Sequence, residues 1–123
     1  MKKTTKADFE LFKSECEKWI NYLKLDNWKV YYSLNCSDSA YAEIVGDGGN
    51  YVATISFCKE WDDSINPKTK DTITDTARHE ILHLLIERLW WLGKCRYVTP
   101  DELLSETESI VRKLENIIPK VIS

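Results

Sequence analysis

The chain has 123 residues, of which 43% are hydrophobic and 30% are charged, and its formal net charge is −3. A chain of this length forms one hydrophobic core, so we expect residues 1–123 to be a single domain. The small negative charge gives no electrostatic attraction to nucleic acid or to an anionic membrane, and no apolar run is long enough to span a bilayer. The basic start, MKKTTKADFE, continues directly into an acidic amphipathic segment and is therefore not expected to be a secretory signal.

Four cysteines are dispersed along the chain, and none of them forms a CxxC pair: Cys16, Cys36, Cys58 and Cys95. In a chain without a predicted signal, such cysteines are expected to be reduced and mostly buried thiols. This cysteine usage predicts a cytoplasmic location.

An amphipathic helix is predicted from about Lys6 to Leu25. Its apolar residues recur at intervals of three and four, which gives one stripe for the core. The stripe consists of Phe9, Phe12, Cys16, Trp19 or Ile20, and Leu23. Thr5 and Asp8 resemble a capping box at the start of this helix, with Asp in place of Glu.

Three short segments after this helix have the aromatic and β-branched composition of strands, at residues 28–34, 41–45 and 51–58. The sequence GDGGN at 46–50 is a strong turn signal, so the second and third strands should form an antiparallel hairpin. Residues 59–70 are a polar connection to the next helix. These elements predict an α+β fold, with a small and mostly antiparallel three-stranded sheet and helices before and after it.

The longest helical pattern extends from Asp71 to Trp91. Beyond Ala77 its apolar residues occupy most sides, which is typical of a buried central helix. Asp71, Thr72 and Thr74 offer side-chain oxygens for the N-cap, and Gly93 has the usual position of a residue that closes a helix.

The central helix contains the HExxH pattern His79-Glu80-Ile81-Leu82-His83. Residues four apart lie on the same helix face, so both imidazoles can bind one metal ion. Glu80 projects to the edge of that face, where its carboxylate can accept a proton from a metal-bound water without binding the ion. Neutral imidazoles and an open position suit zinc, so the motif predicts one zinc ion. The alternative is a core helix whose histidines only form hydrogen bonds. Burying polar groups costs free energy, however, so their presence in such a helix usually indicates a function.

A last helix is predicted to begin at Thr99, with Pro100 in its first turn and Glu102 completing a capping box, and to end near Pro119. Its apolar residues recur at helical spacing through the segment between these prolines.

A catalytic zinc site normally has three protein ligands, and this chain has no third histidine. The last helix supplies Glu106 and Glu108, each more than twenty residues after His83, which allows this helix to pack antiparallel on the central one. Helical geometry puts either glutamate at a flank of the apolar stripe and does not choose between them. Cys95 is a weaker candidate.

The order of helix, three strands, HExxH helix and Glu-bearing helix resembles a minimal zincin of the gluzincin kind. More narrowly, it is similar to the small metallopeptidase-like proteins encoded by bacteriophages and prophages. The resemblance is carried by ARHEILHLL at 77–85 and ETESIVRKLE at 106–115, and HEILH is its specific part. The segment ATISF, from Ala53 to Phe57, resembles the strand beside the active-site helix of that family. The resemblance implies that an edge strand near Ala53 to Phe57 binds a substrate backbone by strand addition.

The resemblance also bears on the third ligand. In that family the ligand Glu is followed by apolar residues at +3 and +6, a pattern that Glu108 matches through Val111 and Leu114. Family members often have adjacent glutamates, whereas Thr107 separates the two here, so Glu106 stays the alternate to Glu108.

Together these features predict a zinc-dependent metallopeptidase of a bacterial host's cytoplasm, with a peptide or protein substrate and a monomeric chain. Zinc would polarise the scissile carbonyl, and Glu80 would accept the proton of the attacking water and pass it to the leaving amine. The alternative is a zincin-fold binding module for proteins with little or no hydrolysis, which would not need the base Glu80. A purely structural zinc site fits less well, since such sites are closed and rich in cysteine.

Overall fold

The described part of the chain contains three helices and two small sheets, and its fold is α+β as predicted. The computed structural model describes residues 2–35, 40–95, 97–115 and 117. In chain order the elements are β1 (Lys2–Lys3), α1 (Lys6–Tyr22), β2 (Lys29–Ser33), β3 (Ala42–Asp47), β4 (Val52–Phe57), β5 (Glu60–Trp61), α2 (Lys70–Lys94) and α3 (Pro100–Glu115).

Helix α1 begins where the sequence predicts. The Thr5 hydroxyl accepts a hydrogen bond from the Asp8 amide at 3.1 Å, and the Asp8 carboxylate accepts one from the Thr5 amide at 2.9 Å, which confirms the capping box. The helix ends at Tyr22 rather than Leu25, because Lys24 has a left-handed φ of 57° that turns the chain away from the helix axis.

Helix α2 is longer than predicted at both ends. Its N-cap is Thr69, whose hydroxyl accepts from the Thr72 amide, so the prediction of Asp71, Thr72 or Thr74 as the cap was wrong by two to five residues. Gly93 does not close the helix, since its φ is not positive and the helix continues to Lys94.

Helix α3 begins as predicted, with Pro100 in its first position. The Thr99 hydroxyl accepts from the Glu102 amide at 3.1 Å, and the Glu102 carboxylate accepts from the Thr99 amide at 3.2 Å. The predicted end near Pro119 lies outside the described residues.

The larger sheet has the order β2-β4-β3, so β4 is its central strand. Strands β3 and β4 form the predicted antiparallel hairpin, whereas β2 pairs with β4 in parallel. The sheet is therefore mixed rather than mostly antiparallel. A second sheet, β1 with β5, was not predicted; it includes Trp61, which is fully buried although it lies in the segment predicted as a polar connection.

The core lies between the larger sheet and the helices. Strand β4 alternates, with Ala53, Ile55 and Phe57 buried. The ring of Phe12 in α1 stacks on Phe57 with centroids 4.4 Å apart. Helix α2 contributes buried residues from its first four turns: Ile73, Ala77, Ile81, Leu84 and Leu85. Removing these apolar side chains from water is the main stabilising contribution to the fold.

Two glycines allow α2 to approach the β3–β4 hairpin closely. A Cβ at Gly46 would lie 2.6 Å from Glu87 Cγ, and one at Gly48 would lie 2.4 Å from Trp91 Cβ. Neither distance is possible for real carbon atoms, so a larger residue would push the helix away from the hairpin. The glycines thus bring the second half of α2 against β3.

Cys16, Cys58 and Cys95 are free thiols, as predicted for these three, and Cys36 lies outside the described residues. Among the helices that the structure describes, none combines the length and the apolar character needed to cross a bilayer.

Candidate metal centre on the central helix

His79 and His83 lie on one exposed face of α2 with their Nε2 atoms 3.2 Å apart. The two rings are close to perpendicular, at 78°. Two nitrogens that each lie about 2.05 Å from one zinc ion are 3.2 Å apart when the N–Zn–N angle is about 100°, because half of this angle has a sine of about 1.6/2.05. This angle is close to tetrahedral. In a metal-free chain the same separation allows an N–H···N hydrogen bond between opposite tautomers.

Glu80 follows His79 and points about 100° further round the helix. Its side chain is buried, with 5% of the residue exposed. This burial raises the pKa of Glu80 above its ordinary value; the two imidazoles act in the opposite direction, and the carboxylate of Glu43 adds to the increase. A carboxylate with a raised pKa is a stronger base than a solvated one.

A groove between α2 and β3 contains these three side chains. One cavity of about 540 Å³ extends from the histidines towards the C-terminus of α2, and another of about 460 Å³ extends towards its N-terminus. Both cavities are lined by Ala42, His79 and Glu80, so the histidine pair lies near the middle of a continuous groove.

The two halves of the groove differ in chemistry. The N-terminal half combines polar side chains with small apolar ones and an aromatic ring: Ala40, Tyr41, Ala42, Asn66, Thr72, Asp75 and Thr76. The C-terminal half combines carboxylates with large apolar side chains: Glu43, Ile44, Ile86, Glu87 and Trp90.

The strand beside the groove is β3, and the prediction that Ala53 to Phe57 forms the edge was wrong. That segment belongs to β4, which pairs with β2 on one side and β3 on the other, so its backbone hydrogen-bonding groups are engaged. Within the described ranges, β3 pairs with β4 alone. Its Ala42, Glu43 and Ile44 line the groove.

The structure does not bring Glu106 or Glu108 to the histidines. Glu106 lines a different cavity, of about 350 Å³, together with Tyr51 and Arg88. Arg88 is nine residues after His79, which corresponds to a rotation of about 180° round the helix, so α3 packs on the side of α2 opposite the histidines. Glu108 is exposed. The role of either glutamate as a ligand stays a prediction.

Two other carboxylates share the histidine cavity and were not predicted. Glu87 lies four residues after His83, and this spacing could have indicated it. Glu43 comes from β3, and only the placement of that strand beside α2 reveals it.

The described residues fit a zinc ion in part. Two imidazole nitrogens have the separation for chelation, and carboxylates line the same cavity. In the part of the chain that the structure describes, no group of three or more His, Cys, Asp or Glu side chains is arranged to hold an ion. Among the described residues, a third protein ligand would therefore require a side chain to move towards the histidines.

Comparison with family models, with curated proteins and with solved structures gives no match for this chain. The function is therefore inferred from the geometry of the groove.

Proposed function

We propose that this chain is a zinc-dependent metallopeptidase, related to the minimal zincins, that hydrolyses peptide bonds in the groove between α2 and β3. The observation that carries the proposal is the 3.2 Å separation of the His79 and His83 Nε2 atoms, with buried Glu80 beside them. Two surface histidines four residues apart need not bring these nitrogens so close, whereas two ligands of one tetrahedral ion must lie at about this distance.

The chain's own residues have separate tasks in this reaction. His79 and His83 would hold zinc through their neutral imidazole nitrogens. A zinc ion held there would polarise the scissile carbonyl and make water a better nucleophile. Glu80 accepts a proton from the attacking water and returns it to the leaving amine.

The position of β3, which pairs with β4 alone among the described strands, supports a peptide as the substrate. An extended peptide can pair with an exposed strand through main-chain hydrogen bonds, whatever its sequence. Ala42 lines both cavities beside His79 and Glu80, so a peptide paired there has its backbone next to these side chains. The free thiols agree with a reducing compartment, and the cytoplasm of a bacterial host remains the predicted location.

The test is cleavage of a randomised peptide mixture by the zinc-loaded protein, followed by mass spectrometry. We expect new peptide ends that disappear when a chelator removes the metal and return when zinc is restored. A zinc-loaded protein that retains peptides on a column and never cleaves them would contradict hydrolysis and favour the binding module.

A further inference from the structure

An exposed apolar surface continues the histidine face of α2 towards its C-terminus. His79, His83, Ile86 and Trp90 follow one another at intervals of four, three and four residues, which keeps them within an arc of about 60°. Ile86 is 45% exposed and Trp90 is 61% exposed. Residues with helical spacing are commonly part of a core, but these two side chains are open to solvent.

Ile86 and Trp90 belong to the same cavity as the histidines and Glu80. They are therefore walls of the candidate site rather than a separate patch. The Trp90 ring is oriented by Lys94, whose Nζ lies 5.2 Å from the ring centroid. Large apolar side chains in a concave site beside reactive groups are typical of ligand contacts.

The charge of this cavity narrows the choice of ligand. Glu43 and Glu87 lie on its walls, so an acidic side chain entering it would meet like charges. The N-terminal half of the groove has both polar and apolar walls, the apolar part from Ala40, Tyr41 and Ala42, but no side chain there corresponds to the aliphatic Ile86 and the indole of Trp90. We therefore expect the stronger selection for an apolar side chain in the C-terminal half.

We propose that Ile86 and Trp90 form a specificity pocket that binds a large apolar side chain of the peptide, on one side of the scissile bond. This inference rests on the proposed function and adds the substrate class to it: peptides with a Leu-, Met- or Phe-sized residue near the cleaved bond. The pocket adjoins the catalytic residues within one cavity of about 540 Å³, which is large enough for such a side chain.

The experiment profiles cleavage of a randomised peptide mixture by the zinc-loaded wild type and by Ile86→Ala and Trp90→Ala. For the wild type we expect large apolar residues to exceed glycine by about tenfold at one position on one side of the bond, as expected for removing such a side chain from water. The preference should fall several-fold in both variants. Leu104→Ala is the matched control, since Leu104 is 59% exposed and lies on α3.

A second measurement does not need turnover. Calorimetry compares the binding of hydroxamates, which bind zinc, that carry either a benzyl or a methyl group. In one series this group is on the carbonyl side of the hydroxamate, and in the other series it is on the nitrogen side. We expect the benzyl compound to bind about tenfold more tightly in one series, and this ratio to approach one in Trp90→Ala.

The outcomes separate the inference from the function on which it rests. Cleavage or hydroxamate binding without an apolar preference, or with one that Trp90→Ala leaves unchanged, overturns the specificity pocket alone. Failure to bind zinc overturns the pocket and the peptidase together. A dimer in sedimentation that Trp90→Ala dissociates would show that a second copy covers this surface, and it would also overturn the pocket.

Discussion

Replacing Glu80 with glutamine removes the proposed proton acceptor and keeps the shape of the side chain. Because only 5% of Glu80 is exposed, glutamine must occupy the same volume among the same neighbours. A general base contributes roughly a hundredfold or more to the rate, so kcat/KM should fall by at least that factor. This corresponds to a loss of about 2.7 kcal/mol of transition-state stabilisation. Zinc affinity should be unchanged, because Glu80 is not a ligand.

Stability gives an independent readout of the same substitution. Burial raises the pKa of Glu80 in the folded, metal-free chain, so the ionised carboxylate lowers the free energy of unfolding. This destabilisation is fully present above the folded-state pKa of Glu80. It disappears below the unfolded value of about 4.3, where the carboxyl group is protonated in both states. The metal-free Glu80→Gln protein should therefore be at least as stable as the wild type at pH 7 in urea denaturation.

The assay combines kcat/KM on a fluorogenic peptide with elemental analysis of zinc. Glu60→Gln is the control, since Glu60 is an exposed carboxylate in β5. Unchanged cleavage by zinc-loaded Glu80→Gln would refute the hydrolytic role of this carboxylate. Simultaneous loss of zinc and activity would instead make Glu80 a ligand.

Three further predictions concern the third ligand, an ion pair and the thiols. The candidate ligands are replaced singly with glutamine: Glu43, Glu87, Glu106 and Glu108. We expect zinc affinity, measured by competition with a chromogenic chelator, to fall on replacement of Glu43 or Glu87, which line the histidine cavity. A fall on replacement of Glu106 or Glu108 in α3 would instead support the assignment made from the sequence. Asp8 accepts a hydrogen bond from Lys68 at 2.7 Å. Although burial acts to raise its pKa, the hydrogen bonds from Lys68 and Thr5 hold the pKa of Asp8 below its ordinary value. Asp8→Asn should therefore lose about 1 kcal/mol of unfolding free energy at pH 7. The difference should begin to shrink as the pH falls below about 3.9, the unfolded value, and should vanish below the lower folded-state pKa of Asp8; a difference that is independent of pH in this range would contradict this. A thiol count in denaturant without reductant should give four, and in the native protein Cys16 should stay unreactive because it is fully buried and burial raises its pKa; a count of two would indicate a disulfide.

Local sequence signals predicted the parts of the fold that depend on neighbouring residues. Thr5 with Asp8 and Thr99 with Glu102 are capping pairs three residues apart, and both helices begin there. The i, i+4 spacing of His79 and His83 likewise predicted that their rings would meet. The cap at Thr69 was missed because its partner is a threonine rather than the expected glutamate.

Features that depend on distant residues could not be predicted from the sequence. No local sequence signal indicates that β2 pairs in parallel with β4. This pairing places β3 at the edge of the described sheet. The side of α2 on which α3 packs is also a tertiary property, and it decides that Glu106 lies near Arg88 rather than near the histidines. Trp61 lies among polar residues in the sequence but is buried against the rings of Tyr41 and Phe57, and its indole N–H donates to the Asn66 carbonyl at 2.6 Å.

The central claim is that the two histidines bind one metal ion, and the zinc content of the purified chain tests it most directly. After equilibration with zinc and removal of excess metal, elemental analysis should give about one zinc per chain for the wild type. The double variant His79→Ala with His83→Ala should give almost none while its circular dichroism spectrum stays that of the folded protein. Stoichiometric zinc in the double variant, or no zinc in the wild type, would contradict the account.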